Sequence, residues 1–170
     1  KDALYAFTDC EVSISPNACI IVEDKPHFIG VSDVLKYNTD QTVALLKLEL
    51  QIKLKALKEK WHFSSLEKIF IENRIYRDIE EAETFEQIID FIFKGLEPFK
   101  KQLKREISRD DLIKLTEIKI KRISKYDAFK ADEFIKNLEN EINEVENHLA
   151  HLIDFAIQYF HSLKKKFGKG

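Results

Sequence analysis

Apolar positions along this chain fall into two regimes. Between positions 8 and 28 they have period two: Val12 and Ile14 alternate with Glu11, Ser13 and Ser15, and Ile20 and Val22 precede a turn signal at Glu23, Asp24, Lys25 and Pro26. Alternation of this kind predicts a small β-hairpin or meander of two to three strands, too little sheet to stand alone. From Val31 onward the period is helical. Val43, Leu46, Leu50, Leu54 and Leu57 recur at steps of three and four, an apolar stripe on one helix over about 33–60 with Ser32 as a cap.

Shorter elements follow. Ser64 with Glu67 has the spacing of a capping box, in which the hydroxyl accepts from a free backbone N–H and the carboxylate reaches back to the cap. It predicts a new helix over about 65–81. Thr84 with Gln87 repeats the arrangement before the apolar run FEQIIDFIF, which Gly95 is placed to close. Pro98 suits the first turn of a further helix, and Ser108 with Asp110 and Asp111 caps one helix over 110–125. The alternation Ile118, Lys119, Ile120, Lys121 within that stretch is also what a half-buried strand would show, so the residues leave open a strand edge, a nucleic-acid patch or one face of a helix. After Asp127, a good N-cap, positions Leu138, Ile142, Val145, Leu149, Leu152, Ala156, Tyr159 and Leu163 step by four and three alternately, and nothing interrupts the pattern before Gly168.

Two long apolar seams on either side of a run of short helices have one economical arrangement. The chain is predicted to be mainly α: a long antiparallel coiled-coil stalk, with a helical knob at its tip and a small β-hairpin at the N-terminal end. Segments 31–62 and 127–170 form the outgoing and return arms, 63–126 the knob and 1–30 the strands. Composition agrees, since four glycines and three prolines among 170 residues leave few turn formers, while 44% hydrophobic and 34% charged residues suit amphipathic helices.

Net charge is −2, which excludes a polycation, but the charges are blocky. Basic against acidic residues number 4 to 9 over 63–99, 11 to 5 over 100–130 and 1 to 7 over 131–163. A basic block between acidic ones can meet phosphates, but it is at least as often a solvated helix face or the complement of a neighbouring acidic helix.

Candidate chemistry is sparse. Cys10 and Cys19 lack a CxxC or paired histidines, which points to free thiols in a reducing compartment. His148 and His151 beside Glu144 have metal-ligand types on one helix, although such residues more often form a solvated face. Asp110 and Asp111 are explained by a helix start, Ser64 and Ser65 lack a base, and no phosphate-cradling glycine loop occurs. Tyr5, Tyr37, Tyr76, Tyr126 and Tyr159 have no clustered base or anion site in sequence and are expected to pack. No catalytic and no metal residue is therefore assigned. No apolar run reaches the ~20 residues of a membrane span, so an intracellular, cytoplasmic protein without membrane contact is expected. The absence of methionine is read as the mark of an internal fragment.

The order of these words, from FTDCEVSISPNACIIVEDKPHF through LKLELQIKLKALKEKWHFSSLEKIFIENR and LIKLTEIKIKRISKYD to LKKKFGKG, resembles the A subunit of bacterial type IIA DNA topoisomerases, closer to topoisomerase IV than to gyrase. The resemblance covers essentially the whole chain. It implies a place in an ATP-dependent machine that passes one duplex through a transient break in another. On this resemblance 1–30 ends the tower region, the two arms carry the knob, and the knob is the C-gate, the exit gate where two A subunits meet as a homodimer. The dimer interface would then be Leu112, Leu115 and Ile118 with Ile120 and Ile123, and the candidate DNA-phosphate contacts are Lys119, Lys121, Arg122 and Lys125, weak and transient. The family's catalytic tyrosine follows an arginine, and no Arg-Tyr pair is present here. No cofactor is expected in this chain, ATP and Mg belonging to the B subunit, the further partner. A helical coiled-coil scaffold or adaptor with no DNA role is the alternative.

Overall fold

The structure, a computed structural model, describes residues 2–10, 12–15 and 18–168. The chain divides into two compact units, Lys1–Leu46 and Lys47–Gly170.

The first unit holds helix α1 (Asp2–Phe7), strands β1 (Ala18–Val22) and β2 (Lys25–Ile29), and the opening turns of helix α2 (Val31–Glu72). β1 and β2 pair antiparallel with Val22 opposite Lys25, leaving a two-residue turn at Glu23 and Asp24. Both turn residues are left-handed, with φ of 49° and 61°, which matches the twist of a tight hairpin. Pro26 lies inside β2 opposite Ile21, one step from the closing pair, where ladder bonds are not made and its missing N–H costs nothing. The alternation at 12–15 forms no strand. Val12 and Ile14 are exposed and meet no sheet partner, and Glu11 lies outside the described residues.

In the second unit, α2 pairs antiparallel with helix α6 (Ala128–Ala150). Leu50, Leu57 and Trp61 interlock with Leu138, Ile142 and Val145 in one buried seam. Position rises along α2 as it falls along α6. Lys58 meets Glu146 at 2.7 Å, the Trp61 indole N–H donates to Glu139 at 3.0 Å, and Lys68 meets Asp132. These surface links add little. The seam holds the pair, each buried aliphatic or aromatic side chain contributing roughly 1.5–3 kcal/mol.

Ser64 and Glu67 do not start a helix. α2 continues through them to Glu72, because Trp61, Leu66, Ile69 and Phe70 carry one buried face across the point and neither glycine nor proline interrupts 31–72. The expected helix over 65–81 is instead the end of α2, a left-handed Arg74 (φ 54°) and a 3₁₀ turn, Ile75–Glu81. Helix α3 (Phe85–Leu96) starts as expected, with Thr84 and Gln87 capping reciprocally, and Pro98 occupies the first turn of the 3₁₀ segment Glu97–Gln102. Gly95 does not close α3; it lies inside it, where a Cβ would come within 2.7 Å of Ile75 Cγ2. Its role is close approach.

Ser108 caps helix α4 (Arg109–Thr116) through Asp111, but the single helix expected over 110–125 is broken. Lys119 is extended (φ −68°, ψ 138°) and caps helix α5 (Ile120–Ser124). A strict alternation puts Ile118 and Ile120 on different helical faces, and the chain leaves the helix so that Ile118 packs inward while Ile120 faces out. The return helix is interrupted too, at His151 (φ −118°, ψ 49°), giving α6 and helix α7 (Leu152–Phe167). His151 Nδ1 lies 3.1 Å from the Asn147 carbonyl that its own N–H also reaches, so side chain and backbone share one acceptor at the break. The apolar stripe survives it: Leu149, Leu152 and Phe155 pack on the seam and Ala156 is buried.

A second core, built on Leu66, Ile69 and Phe70 of α2 with Ile75, Ile89, Ile92, Leu96, Leu112 and Leu115, closes the helical cluster. Gly95→Ala is expected to destabilise the chain by about 1–3 kcal/mol through overpacking against buried Ile75, despite the ~1 kcal/mol that alanine adds to helix propensity. Urea unfolding checks the sign, and a stabilised variant would mean that Ile75 yields.

Candidate interaction surface

The residues expected at the contact between chains divide into inner and outer groups. Leu112 and Leu115 are 4% and 1% exposed and belong to the chain's own core, so they offer no surface to another chain. Ile118 and Ile123 are half-buried against the same core. Ile120 alone projects, 83% exposed, between Lys119 and Lys121.

The basic residues divide as well. Arg122 grips buried Glu67 of α2 with two nitrogens, Nη2 to Oε2 at 2.7 Å and Nε to Oε1. This bidentate pair fastens α5 to α2 and occupies the guanidinium. Lys119, Lys121 and Lys125 are exposed and have no ion-pair partner among the described residues. Lys114 on α4 joins them across the break between the helices, and its spacing of seven and eleven residues from Lys121 and Lys125 was the signal in the sequence that could have added it to the group. Together they border an open cleft of about 700 Å³ floored by Phe63 and Ile118. Mobile ammonium groups around a partly apolar floor suit phosphate oxygens or acidic side chains, with no base-reading geometry.

A separate buried network ties α2 to the start of α4, and of its members sequence spacing gave a role only to Ser108 and Asp111. Asp111, 2% exposed, caps α4 by accepting from Ser108 N at 2.9 Å and Oγ at 2.8 Å. It also accepts from Arg105 Nη1 at 2.7 Å and Nη2 at 3.0 Å, and Arg105 reaches Glu59 of α2 at 2.7 Å. His62, 1% exposed, has Nε2 at 3.4 Å from the same carboxylate. Burial opposes ionisation of Asp111, but the Arg105 guanidinium and the Ser108 donors outweigh it and hold the carboxyl well below the usual range. Arg105 is raised by its bonds to Asp111 and Glu59. His62 is lowered, first by burial and then by Arg105, against the pull of Asp111 and Glu59, which keeps the imidazole neutral. No local sequence spacing links positions 59, 62, 105 and 111, since the fold brings them together.

The tyrosines do not all pack. Tyr76 and Tyr126 join the core, with Tyr126 raised by burial and then by Glu72, but Tyr5 is 61% exposed. His148 stacks on Phe155 at 4.7 Å. Among the described residues no three His, Cys, Asp or Glu side chains are grouped to hold a metal, and no helix is long and apolar enough to cross a membrane.

Residues 1–161 match the sequence profile of the family described as the A subunit of DNA gyrase/topoisomerase IV. The chain is also 29% identical over 168 residues to the A subunit of DNA topoisomerase 4 from Borreliella burgdorferi (strain ATCC 35210 / DSM 4680 / CIP 102532 / B31), an alignment that covers 99% of this chain and 27% of that protein. The chain thus spans about a quarter of its relative's length.

Two groups of the network make stability fall with acid. Neutral His62 refuses a proton that the unfolded chain takes up below pH ~6.5, and ionised Asp111 contributes fully only above ~3.9, losing its effect as pH falls below that value. Urea midpoints measured from pH 8 to 2 should decline in those two windows. Asp111→Asn should lose about 1.5–3 kcal/mol at neutral pH and flatten the lower window. A wild-type-like acid limb in this variant would exclude Asp111 as its source.

Proposed function

Because the chain belongs to the family of DNA gyrase/topoisomerase IV A subunits, we propose that it is the dimerisation and exit-gate module of a type IIA DNA topoisomerase. In this reading two copies meet through the helical cluster and part to release a duplex that has passed through a break made elsewhere in the enzyme. The observation that carries the proposal is the alignment of nearly the whole chain with one quarter of a topoisomerase 4 A subunit. The architecture supports it: an antiparallel helix pair, the arms of a coiled-coil stalk in this reading, ends in a compact helical cluster whose outer face exposes Ile120 among lysines. Strand cleavage, with ATP and Mg on the B subunit, belongs to other parts of the cytoplasmic enzyme, and this module contributes association and release.

Within the gate, the dimer contact is assigned to Ile120 with the exposed edges of Ile118 and Ile123, while Leu112 and Leu115 support it from inside. A two-fold contact is self-complementary, so a modest patch serves both chains. Lys119, Lys121 and Lys125, with Lys114 beside them, make sequence-blind contacts to the departing duplex.

Light scattering over a range of concentrations tests the contact. The wild-type chain should reach twice its 20.0 kDa mass, and Ile120→Asp should stay monomeric with unchanged helix content. A dimeric Ile120→Asp would remove α5 from the contact. A wild-type chain that is monomeric throughout would favour the scaffold reading.

Binding to a random-sequence duplex should be no tighter than about 10⁻⁴ to 10⁻⁶ M, and replacing Lys119, Lys121 and Lys125 by alanine should lower the salt slope by about 2–3. Sub-micromolar, salt-insensitive binding would contradict phosphate contacts of this kind.

A further inference from the structure

Arg122 differs from the lysines around it. Its side chain is 67% exposed, yet two of its nitrogens are spent on Glu67, whose side chain is only 8% exposed. The pair stands at the edge of two openings. Both residues line the cleft of about 700 Å³ together with Lys114, Lys119, Lys121 and Lys125, and both line a neighbouring cleft of about 350 Å³ whose other wall is α6. An anion can therefore reach the guanidinium from water without entering either core.

The same pair is the one ion pair that ties the side chains of α5 to the rest of the unit among the described residues. Its other anchors are weak. Ile123 is half-buried, Ile120 is 83% exposed, and none of the five residues is fully buried.

A guanidinium fork matches phosphate as well as it matches carboxylate. While Nε and Nη2 face Glu67, a phosphate is kept from that edge of the fork; once α5 is free, all five N–H donors are open to it. A ligand shifts an equilibrium only by binding one state better than the other, and this difference favours the free state. Glu67 is not left bare, because Lys114 lines the same cleft from α4 and can take over the carboxylate without holding α5.

We propose that the phosphates of a duplex exchange for Glu67 at Arg122, so that nucleic acid bound along the cleft detaches α5 from α2. Phosphate binding and the dimer contact through Ile120 are then antagonistic: the duplex weakens association, and association weakens duplex binding by the same factor. This antagonism rests on the gate reading, whereas the detachment of α5 needs only the phosphate contacts.

Amide hydrogen exchange reads the detachment, since the N–H groups of Arg122 and Ile123 donate to the Lys119 carbonyl and that of Lys125 to the Lys121 carbonyl. The chain is titrated with a short random-sequence duplex at fixed ionic strength. At saturation these amides should exchange at least about fivefold faster, the low end of couplings between sites, while those of α3 stay unchanged. Arg122→Ala, at a largely exposed position, should keep its helix content, exchange fast at α5 without duplex and gain nothing when duplex is added. Unchanged or slower α5 exchange at saturation would overturn the proposal, as would absence of duplex binding or an equal acceleration in Arg122→Ala. Light scattering with and without duplex separates the two readings. A chain that is monomeric throughout yet shows the acceleration supports the exchange at Arg122 and discards the gate, and a dimer of unchanged affinity despite the acceleration overturns the antagonism.

Discussion

One helix belongs to both cores of the larger unit. The middle of α2 supplies Leu50, Leu57 and Trp61 to the seam with α6, and its last turns supply Leu66, Ile69 and Phe70 to the helical cluster. A rigid helix transmits its orientation along its axis. The position of the cluster relative to the paired helices is therefore set by the backbone hydrogen bonds of α2 through Ser64 and Ser65, with no loop between. A helix that restarted at Ser64 would have placed a joint at that point.

The Glu59, Arg105, Asp111 and His62 network lies where this continuity matters. Its members come from α2 on one side and from the segment leading into α4 on the other, and Asp111 also caps α4. A buried carboxylate is unfavourable unless its acceptor sites are filled. Here two serine donors and a guanidinium fill them, so α4 has one favourable seat against α2. Leu112 and Leu115, directly after the cap, then reach the core.

Elements set by local chemistry were legible in the sequence. The caps at Thr84, Ser108 and Asp127 form as their spacing implies, because each needs only a side chain and a backbone N–H a few residues away. The seam from Leu50 to Leu57 and from Leu138 to Leu152 follows periodicity, although Tyr159, placed on the same stripe, is exposed. Four boundaries were not legible. Three were decided by tertiary packing: buried Leu66 and Phe70 carry α2 past Ser64, Ile75 makes Gly95 a contact residue, and inward-turning Ile118 separates α4 from α5. The fourth, the break at His151 between α6 and α7, falls inside an unbroken apolar periodicity. Tertiary packing also reassigns Leu112 and Leu115. A stripe of leucines records that a helix has an apolar face, but not whether its own chain or another covers it. Arg122 shows the corresponding limit for charge, since its partner Glu67 is distant in sequence.

The clasp between Arg122 and Glu67 bears on how this region moves. Helix α5 has five residues, none of them fully buried, and among the described residues its side chains make one ion pair to the rest of the unit, assisted by the half-buried edge of Ile123. Segments held by so few contacts open at a free energy far below that of global unfolding. The two cores can stay closed while α5 lifts away, carrying Ile120 and its lysines with it. Since the fastening is electrostatic and the arginine is largely in water, ionic strength acts on it directly, loosening one small flap and leaving the framework beneath unchanged.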